Sequence, residues 1–390
     1  MNLKKRKTIT KLIRIALSLF VLFIDVVIFL RFQQVWPLWL CIVWWLPTIV
    51  TAFLLIRGKY WFSTRRYTMV MALLLCVAFP KMLFVVCSWV GDLLGHVWPA
   101  VADIGIHISA VVAAIAFSIT TYGFLWGWKR MKVRRLDLSF AQLPEAFDNY
   151  RIVQISDLHL GTLGKDTDFI KRVIARVNDL QPDAIAFTGD LINTSPDEAT
   201  PFIEHLSRLK AKDGVFSIFG NHDYAPYSKR LPPRREDIKR PLKEPELSMG
   251  WHLLLNAHHF IHRGEERIAI VGVENIGRPP FPRIGSLEDA IVGLPDDVFS
   301  ILLSHDPSHW KREVVPTTDI PLMLSGHTHA GQIKIGRWSP AKWMYKEWTG
   351  LYHEGNQYLY VSQGTGARVP VRIGTVAEIT LFCLHRCQEK

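Results

Sequence analysis

Four apolar stretches fill the first third of the 390-residue chain, and they constrain its fold more than any other feature. They run from about Leu12 to Leu30, Trp36 to Ile56, Thr68 to Val90 and Ile104 to Trp126. Each approaches the ~20 residues a helix needs to cross ~30 Å of hydrocarbon. Residues 1–135 therefore read as a membrane domain of four transmembrane helices, and residues 136–390 as a separate soluble domain. The first stretch is followed by Arg31, Phe32, Gln33 and Gln34 rather than a small-residue cleavage site, so it reads as a retained helix. Asp25 and Lys81, the latter beside Pro80, fall inside spans and read as interhelical contacts, with snorkelling a further option for Lys81.

The charge divides the same way. The formal net charge of +11 suits a nucleic-acid binder only while it is taken whole. Residues 1–135 hold 17 Lys and Arg against 3 Asp and Glu, a net +14, and the remainder holds 29 against 32, a net −3. The positive charge belongs to the apolar third, which argues for a bilayer and against nucleic acid as partner. It is also placed asymmetrically. Lys4 to Lys7, Lys11 and Arg14 lie around the start of the first span, and Arg57, Lys59, Arg65 and Arg66 separate the second and third. Lys129, Arg130, Lys132, Arg134 and Arg135 follow the fourth, whereas the other two loops hold only Arg31. The positive-inside rule then gives a multi-pass membrane protein whose N-terminus and soluble domain lie in the cytoplasm. Five cysteines exclude a disulfide scaffold. Cys41, Cys76 and Cys87 read as small apolar fillers of the spans, and Cys383 and Cys387 as reduced thiols.

From Leu136 short β-type runs alternate with amphipathic helical patterns. Strands are predicted at Arg151–Ser156, Asp183–Thr188, Val215–Phe219, Arg267–Val273, Val298–Leu303, Pro321–Leu324, Tyr358–Val361 and Ala377–Phe382. Helices are predicted at Thr167–Leu180 and Pro201–Leu209. This order implies an α/β domain whose later half supplies a second sheet.

Several strand runs end in polar clusters: Asp157-Leu158-His159, Gly189-Asp190, Gly220-Asn221-His222-Asp223, Ser304-His305-Asp306 and Gly326-His327-Thr328-His329. Loops at the carboxyl ends of parallel strands converge on one crevice, so clusters distant in sequence can share a site. Asp157, Asp190, Asn221, His159, His305, His327 and His329 form a mixed oxygen and nitrogen set suited to Mn, Fe, Zn or Co, and unlike an all-oxygen Ca or Mg cage. Seven ligands exceed the need of one open catalytic metal and match two ions sharing a bridging carboxylate.

In this order D-x-H, G-D, G-N-H-D, S-H-D and G-H-T-H resemble the motifs of the calcineurin-like metallophosphoesterase superfamily, over about Arg151 to Leu384. The G-H-T-H-A-G-Q run at Gly326–Gln332 is similar to the branch of bacterial transmembrane metallophosphoesterases, whose four-helix front end the chain shares. The resemblance implies a metallo-dependent phosphatase fold, a two-sheet α/β sandwich. It implies that Asp157, His159 and His329 hold one divalent ion, that Asn221, His305 and His327 hold a second, and that Asp190 bridges them, with Mn the first choice and Fe or Zn the others. It further implies that His222 is the catalytic residue, a general acid beside the substrate, with Asp223 orienting it. Arg368 or Arg372 either meets phosphate or forms a surface salt bridge.

The implied reaction is hydrolysis of a phosphodiester or pyrophosphate bond by a metal-bound hydroxide. The membrane anchor makes a lipid-linked substrate such as UDP-2,3-diacylglucosamine the expected one, with a general phospholipid phosphodiesterase or phosphatase as alternative. A rival reading makes the spans a transporter or sensor regulated by a nucleotide-binding phosphoesterase domain. Between His222 and Trp251 lies a Pro-rich insert with Lys229, Arg230, Arg234, Arg235, Lys239, Arg240 and Lys243. It reads equally as a basic rim for anionic headgroups and as a solvated loop partly neutralised by Glu236, Asp237, Glu244 and Glu246.

Overall fold

The computed structural model describes residues 3–32, 37–57, 64–224 and 238–387. They form two compact units, divided between Trp126 and Gly127.

In the first unit four helices have the length and composition of membrane spans: Thr8–Phe32, Trp39–Arg57, Arg65–Gly95 and Pro99–Leu125. Their outward side chains are apolar and exposed, Leu19, Ile42, Val86 and Ile115 among them. The third span holds a π-helical turn at Leu74–Ala78 immediately before Pro80. A proline lacks the amide the preceding turn would bond, and a wider turn absorbs the mismatch. Gly91 and Gly105 let the third and fourth spans close on each other, since a Cβ on Gly91 would come 2.9 Å from the Gly105 Cα. Asp25 and Lys81 are both buried and joined, with Lys81 Nζ 2.8 and 3.0 Å from the two carboxylate oxygens. The ammonium also donates to the Trp44 carbonyl at 2.9 Å and to Thr48 Oγ1 at 3.0 Å. The expected interhelical contact thus ties three spans together, and Lys81 does not snorkel.

Among its described residues the second unit contains twelve strands. They are β1 (Met131–Phe140), β2 (Tyr150–Ile155), β3 (Ala184–Phe187), β4 (Val215–Ser217), β5 (His252–Leu253) and β6 (Ala257–Arg263). The rest are β7 (Glu266–Gly272), β8 (Ser300–Leu303), β9 (Leu322–Ser325), β10 (Gly350–Glu354), β11 (Gln357–Val361) and β12 (Ala377–Arg386). They pair into two six-stranded sheets of order β1-β12-β2-β3-β4-β5 and β10-β11-β9-β8-β7-β6. Strands β2 to β5 run parallel, as do β7, β8, β9 and β11.

The period-2 alternation of each strand builds the sandwich. Ile152, Ala184, Phe216 and Phe382 from the first sheet meet Ile270, Ile301, Leu303 and Leu324 from the second in one buried layer. The opposite face of the first sheet (Val153, Ile155, Ile185, Phe187) is covered by Phe169, Val173 and Val177 of helix Asp168–Asp179. The outer face of the second sheet (Val271, Leu302, Met323, Leu359) is covered by Leu287, Trp310 and Val314.

Two details differ from the sequence expectations. Strand β1 already starts at Met131, so Lys132, Arg134 and Arg135, read as the basic flank of the fourth span, lie on a strand. The helix expected over Pro201–Leu209 narrows to Ile203–Leu206, preceded by a 3-10 turn.

Candidate metal centre

The parallel strands deliver their polar clusters to one edge of the sandwich. Asp157 and His159 follow β2, Asp190 follows β3, Asn221 and His222 follow β4, His305 follows β8, and His327 and His329 follow β9. Asp157, His159, Asp190, His305, His327, His329 and His222 come together there, and Asn221 lies beside His222 on the same loop. Asp157, His159, Asp190, Asn221, His222 and His305 are buried.

Among the described residues two groups have the spacing to hold a metal ion: Asp157 with His159 and His329, and Asp190 with His305 and His327. In the first, His159 Nε2 lies 3.1 Å from His329 Nε2, and His329 Nε2 lies 3.3 Å from Asp157 Oδ1. In the second, His305 Nε2 stands 3.2 Å from Asp190 Oδ2 and 3.3 Å from His327 Nδ1. Asp190 Oδ2 is also 3.7 Å from His159 Nε2, so one carboxylate reaches both groups.

This convergence strains the backbone. Asp157, His159, Asp190, His327 and His329 all have positive φ, between 46° and 72°. Left-handed conformations cost a non-glycine residue about 1–3 kcal/mol and persist where the surrounding structure fixes them. Here it does. The Asp157 carboxylate accepts the His327 amide at 3.1 Å and the Ser156 hydroxyl at 2.6 Å. Gly326 is required by close approach, because a Cβ would overlap Ser156 Oγ and Asp157 Oδ2. Thr188 O meets His305 Nδ1 at 2.7 Å, which turns Nε2 toward Asp190.

The electrostatics suit cation binding. Burial holds the His159 imidazole down at about 3 and His222 at about 4, and lowers His327 and His329, so these rings are neutral and keep a lone pair for a ligand. Burial also pulls on His305, but Asp190 outweighs it and lifts that imidazole to about 10. Burial and the charge of Asp190 push the Asp157 carboxyl up to about 6. A divalent cation would take the place of the proton shared by His305 and Asp190 and relieve the crowding of carboxylates. Two groups of mostly buried oxygen and nitrogen donors, with one carboxylate reaching both, fit two divalent ions.

Two assignments change. Asp223 does not orient His222. Its buried carboxylate accepts the amides of Gly220, Asp190 and Leu191, each at 2.8 Å, and so ties two site loops together. The His222 ring instead meets Asn193 O through Nδ1 at 2.6 Å. Arg372 is buried rather than in a surface salt bridge, and its Nη2 donates to the carbonyls of Gln363, Gly364 and Gly366. Arg368 is partly exposed and lowers the proton affinity of His159 and His222, which places its charge beside the site.

Sequence reasoning missed Tyr345, whose hydroxyl is 2.7 Å from His327 Nε2 and 3.3 Å from Asp306 Oδ2. Nothing in the local sequence marks it; only the fold brings it back to the histidine. In the basic insert, Lys229, Arg230, Arg234 and Arg235 lie outside the described residues. Arg240 is held by Glu274 at 2.7 and 2.9 Å.

The family model for calcineurin-like phosphoesterases matches residues 150–331, which span every ligand above. An uncharacterized metallophosphoesterase of Bacillus subtilis, YkuE, is 31% identical over 71% of this chain and 96% of its own length. The chain belongs to the calcineurin-like metallophosphoesterases. It is a metal-dependent phosphoester hydrolase, and a membrane protein like some of its relatives. The transmembrane protein with metallophosphoesterase domain of Danio rerio is 30% identical over 74% of this chain and 65% of that one. The UDP-2,3-diacylglucosamine pyrophosphatase LpxG of Chlamydia trachomatis is 28% identical over 71% of this metallophosphoesterase and 96% of the relative.

Proposed function

We propose that this metallophosphoesterase hydrolyses the pyrophosphate bond of a lipid-linked nucleotide at the cytoplasmic face of the inner membrane, with UDP-2,3-diacylglucosamine as substrate. The observation that carries the dinuclear reading is the position of Asp190, whose Oδ2 lies 3.2 Å from His305 and 3.7 Å from His159. In this reading Asp157, His159 and His329 hold one ion, Asn221, His305 and His327 hold the other, and Asp190 joins them. Manganese is the first choice, with iron and zinc able to use the same donors. When bound, such a pair supplies Lewis acidity toward phosphate oxygens and lowers the pKa of a water molecule.

The chain's own groups do the rest. His222, its Nδ1–H fixed on Asn193 O, is neutral in the free site; the negative charge of a bound phosphate favours its taking up a proton from solvent on Nε2, and that proton then passes to the departing oxygen. Arg368 draws the phosphate in by charge. The lipid specificity rests on two supports: four apolar spans that keep the enzyme at a bilayer, and the activity named for the Chlamydia trachomatis relative. The orientation rests on the basic residues that flank the spans.

The test is UMP release from UDP-2,3-diacylglucosamine by detergent-purified, manganese-loaded protein. Wild type is expected to release UMP, and Asp190→Asn to release none. Absence of UMP from metal-loaded wild type that still cleaves bis-p-nitrophenyl phosphate would remove the substrate and keep the enzyme class, leaving a phospholipid ester as the alternative.

A further inference from the structure

The segment that follows the last two histidines, Ile333–Trp348, has an outward face that water does not favour. Ile335 is 65% exposed, Trp338 41%, Trp343 77% and Met344 44%. Elsewhere in the second unit, exposed large apolar side chains among the described residues are limited to Leu247, Val292 and Leu351, well separated in sequence. Trp338 and Trp343 pack edge to face with ring centroids 5.6 Å apart, so the patch is contiguous at its centre. Arg337, Lys342 and Lys346 are exposed around it, with Lys334 partly so, against a single acid, Glu347.

The exposure is not that of a loose loop. Beneath it Ala341, Tyr345 and Trp348 pack with Ala330 in a small buried cluster. Ser339 Oγ donates to Ala330 O at 2.7 Å, Thr328 Oγ1 donates to Trp348 O at 2.6 Å, and Lys334 N donates to Ile373 O at 2.8 Å. The inner side of the segment is anchored to the metal centre, and its apolar side chains are held outward by that anchoring. Tryptophan set among lysine and arginine is the composition of surfaces that lie in the headgroup region, where the rings enter the acyl boundary and the cations meet phosphates. Isolated exposed apolar residues need no explanation, but a braced cluster rimmed with cations does.

We infer that the Ile333–Trp348 segment is a membrane-docking surface, with an anionic bilayer as its partner. It inserts Trp338, Trp343, Ile335 and Met344 at the interface and brings the mouth of the metal centre to the lipid headgroups. The spans tether the chain to a bilayer; this surface engages the bilayer a second time, beside the chemistry. The inference is independent of which lipid is cleaved.

The experiment is site-directed spin labelling of the full chain in nanodiscs containing phosphatidylglycerol. Trp343→Cys and, separately, Ile335→Cys are labelled in a variant whose five native cysteines are serine. Val292→Cys, at a site 70% exposed, is the water reference. Retained cleavage of bis-p-nitrophenyl phosphate shows that each labelled protein is folded. The expected result is accessibility to oxygen but not to a water-soluble nickel chelate at 343 and 335, with a ratio about tenfold above that at 292. A nickel accessibility equal to that of position 292 overturns the inference. Protection from both reagents also overturns it, because a protein surface such as a second copy of the chain would then be the partner.

Discussion

His222 separates two things that a metal centre can lose. It holds no place in either ligand group, and its ring is fixed by a carbonyl of a neighbouring loop. His222→Ala is expected to lower kcat by about 10²- to 10⁴-fold while both ions remain, as read by elemental analysis beside steady-state kinetics. Loss of metal together with activity would make it a ligand instead. Glu313 offers a test at the same scale away from the chemistry. His309, with help from Arg283, holds its carboxyl at about 2, below the ordinary 4.5. A depressed acid favours the folded state above its unfolded value, and that contribution fades as pH falls from 4.5 through about 2. Glu313→Gln is therefore expected to be less stable than wild type to urea at pH 7, with the difference vanishing only below about pH 2. Because Glu313 is partly solvated, the difference at neutral pH is expected to be small, about 1 kcal/mol or less.

At the scale of elements, the strands with an apolar run closed by a polar cluster were legible: β2, β3, β4, β8 and β9 all fall where their residues predict them. Strand β1 was not, because its Lys132, Arg134 and Arg135 serve equally well as the positive end of a membrane span. The two-residue β5 is too short for any alternation to register, and β10 keeps little of itself buried. The ligands were legible as residue types, but their left-handed backbone was not: Asp and His are enriched at positive φ, yet most of them lie elsewhere, so the residue type alone does not fix it. Tyr345 was invisible for a different reason: its role comes from a fold-back on His327 that no local pattern records.

The spans carry their own element-scale test. Lys81→Met strands Asp25 among apolar helices, and it is expected to cost about 3–5 kcal/mol or the fold itself. Asp25→Leu with Lys81→Met is expected to recover most of that loss, as measured by thermal unfolding in detergent. The rival reading, in which the spans are a transporter or sensor, predicts instead that Asp25→Ala abolishes function in a phenotype assay while Asp190→Asn merely tunes it.

At the scale of the whole molecule, the described residues hold four candidate spans, and an even number of crossings predicts that both flanks of the bundle share a side of the membrane. Cys387 is exposed and belongs to the soluble unit. An impermeant maleimide is expected to leave Cys387 unmodified on intact cells and to label it after permeabilisation; labelling of intact cells would invert the orientation. Strand order has a further consequence, for synthesis. Strand β12 lies between β1 and β2, pairing with both, and its Glu378 amide bonds Gly364, the residue whose backbone crowds His329. A ribosome will have released all four spans, and every histidine of the centre, long before residues 377–386 emerge. Until then β1 and β2 have no common neighbour, the first sheet remains split, and the nascent enzyme sits in its membrane with its ligands made but not yet gathered.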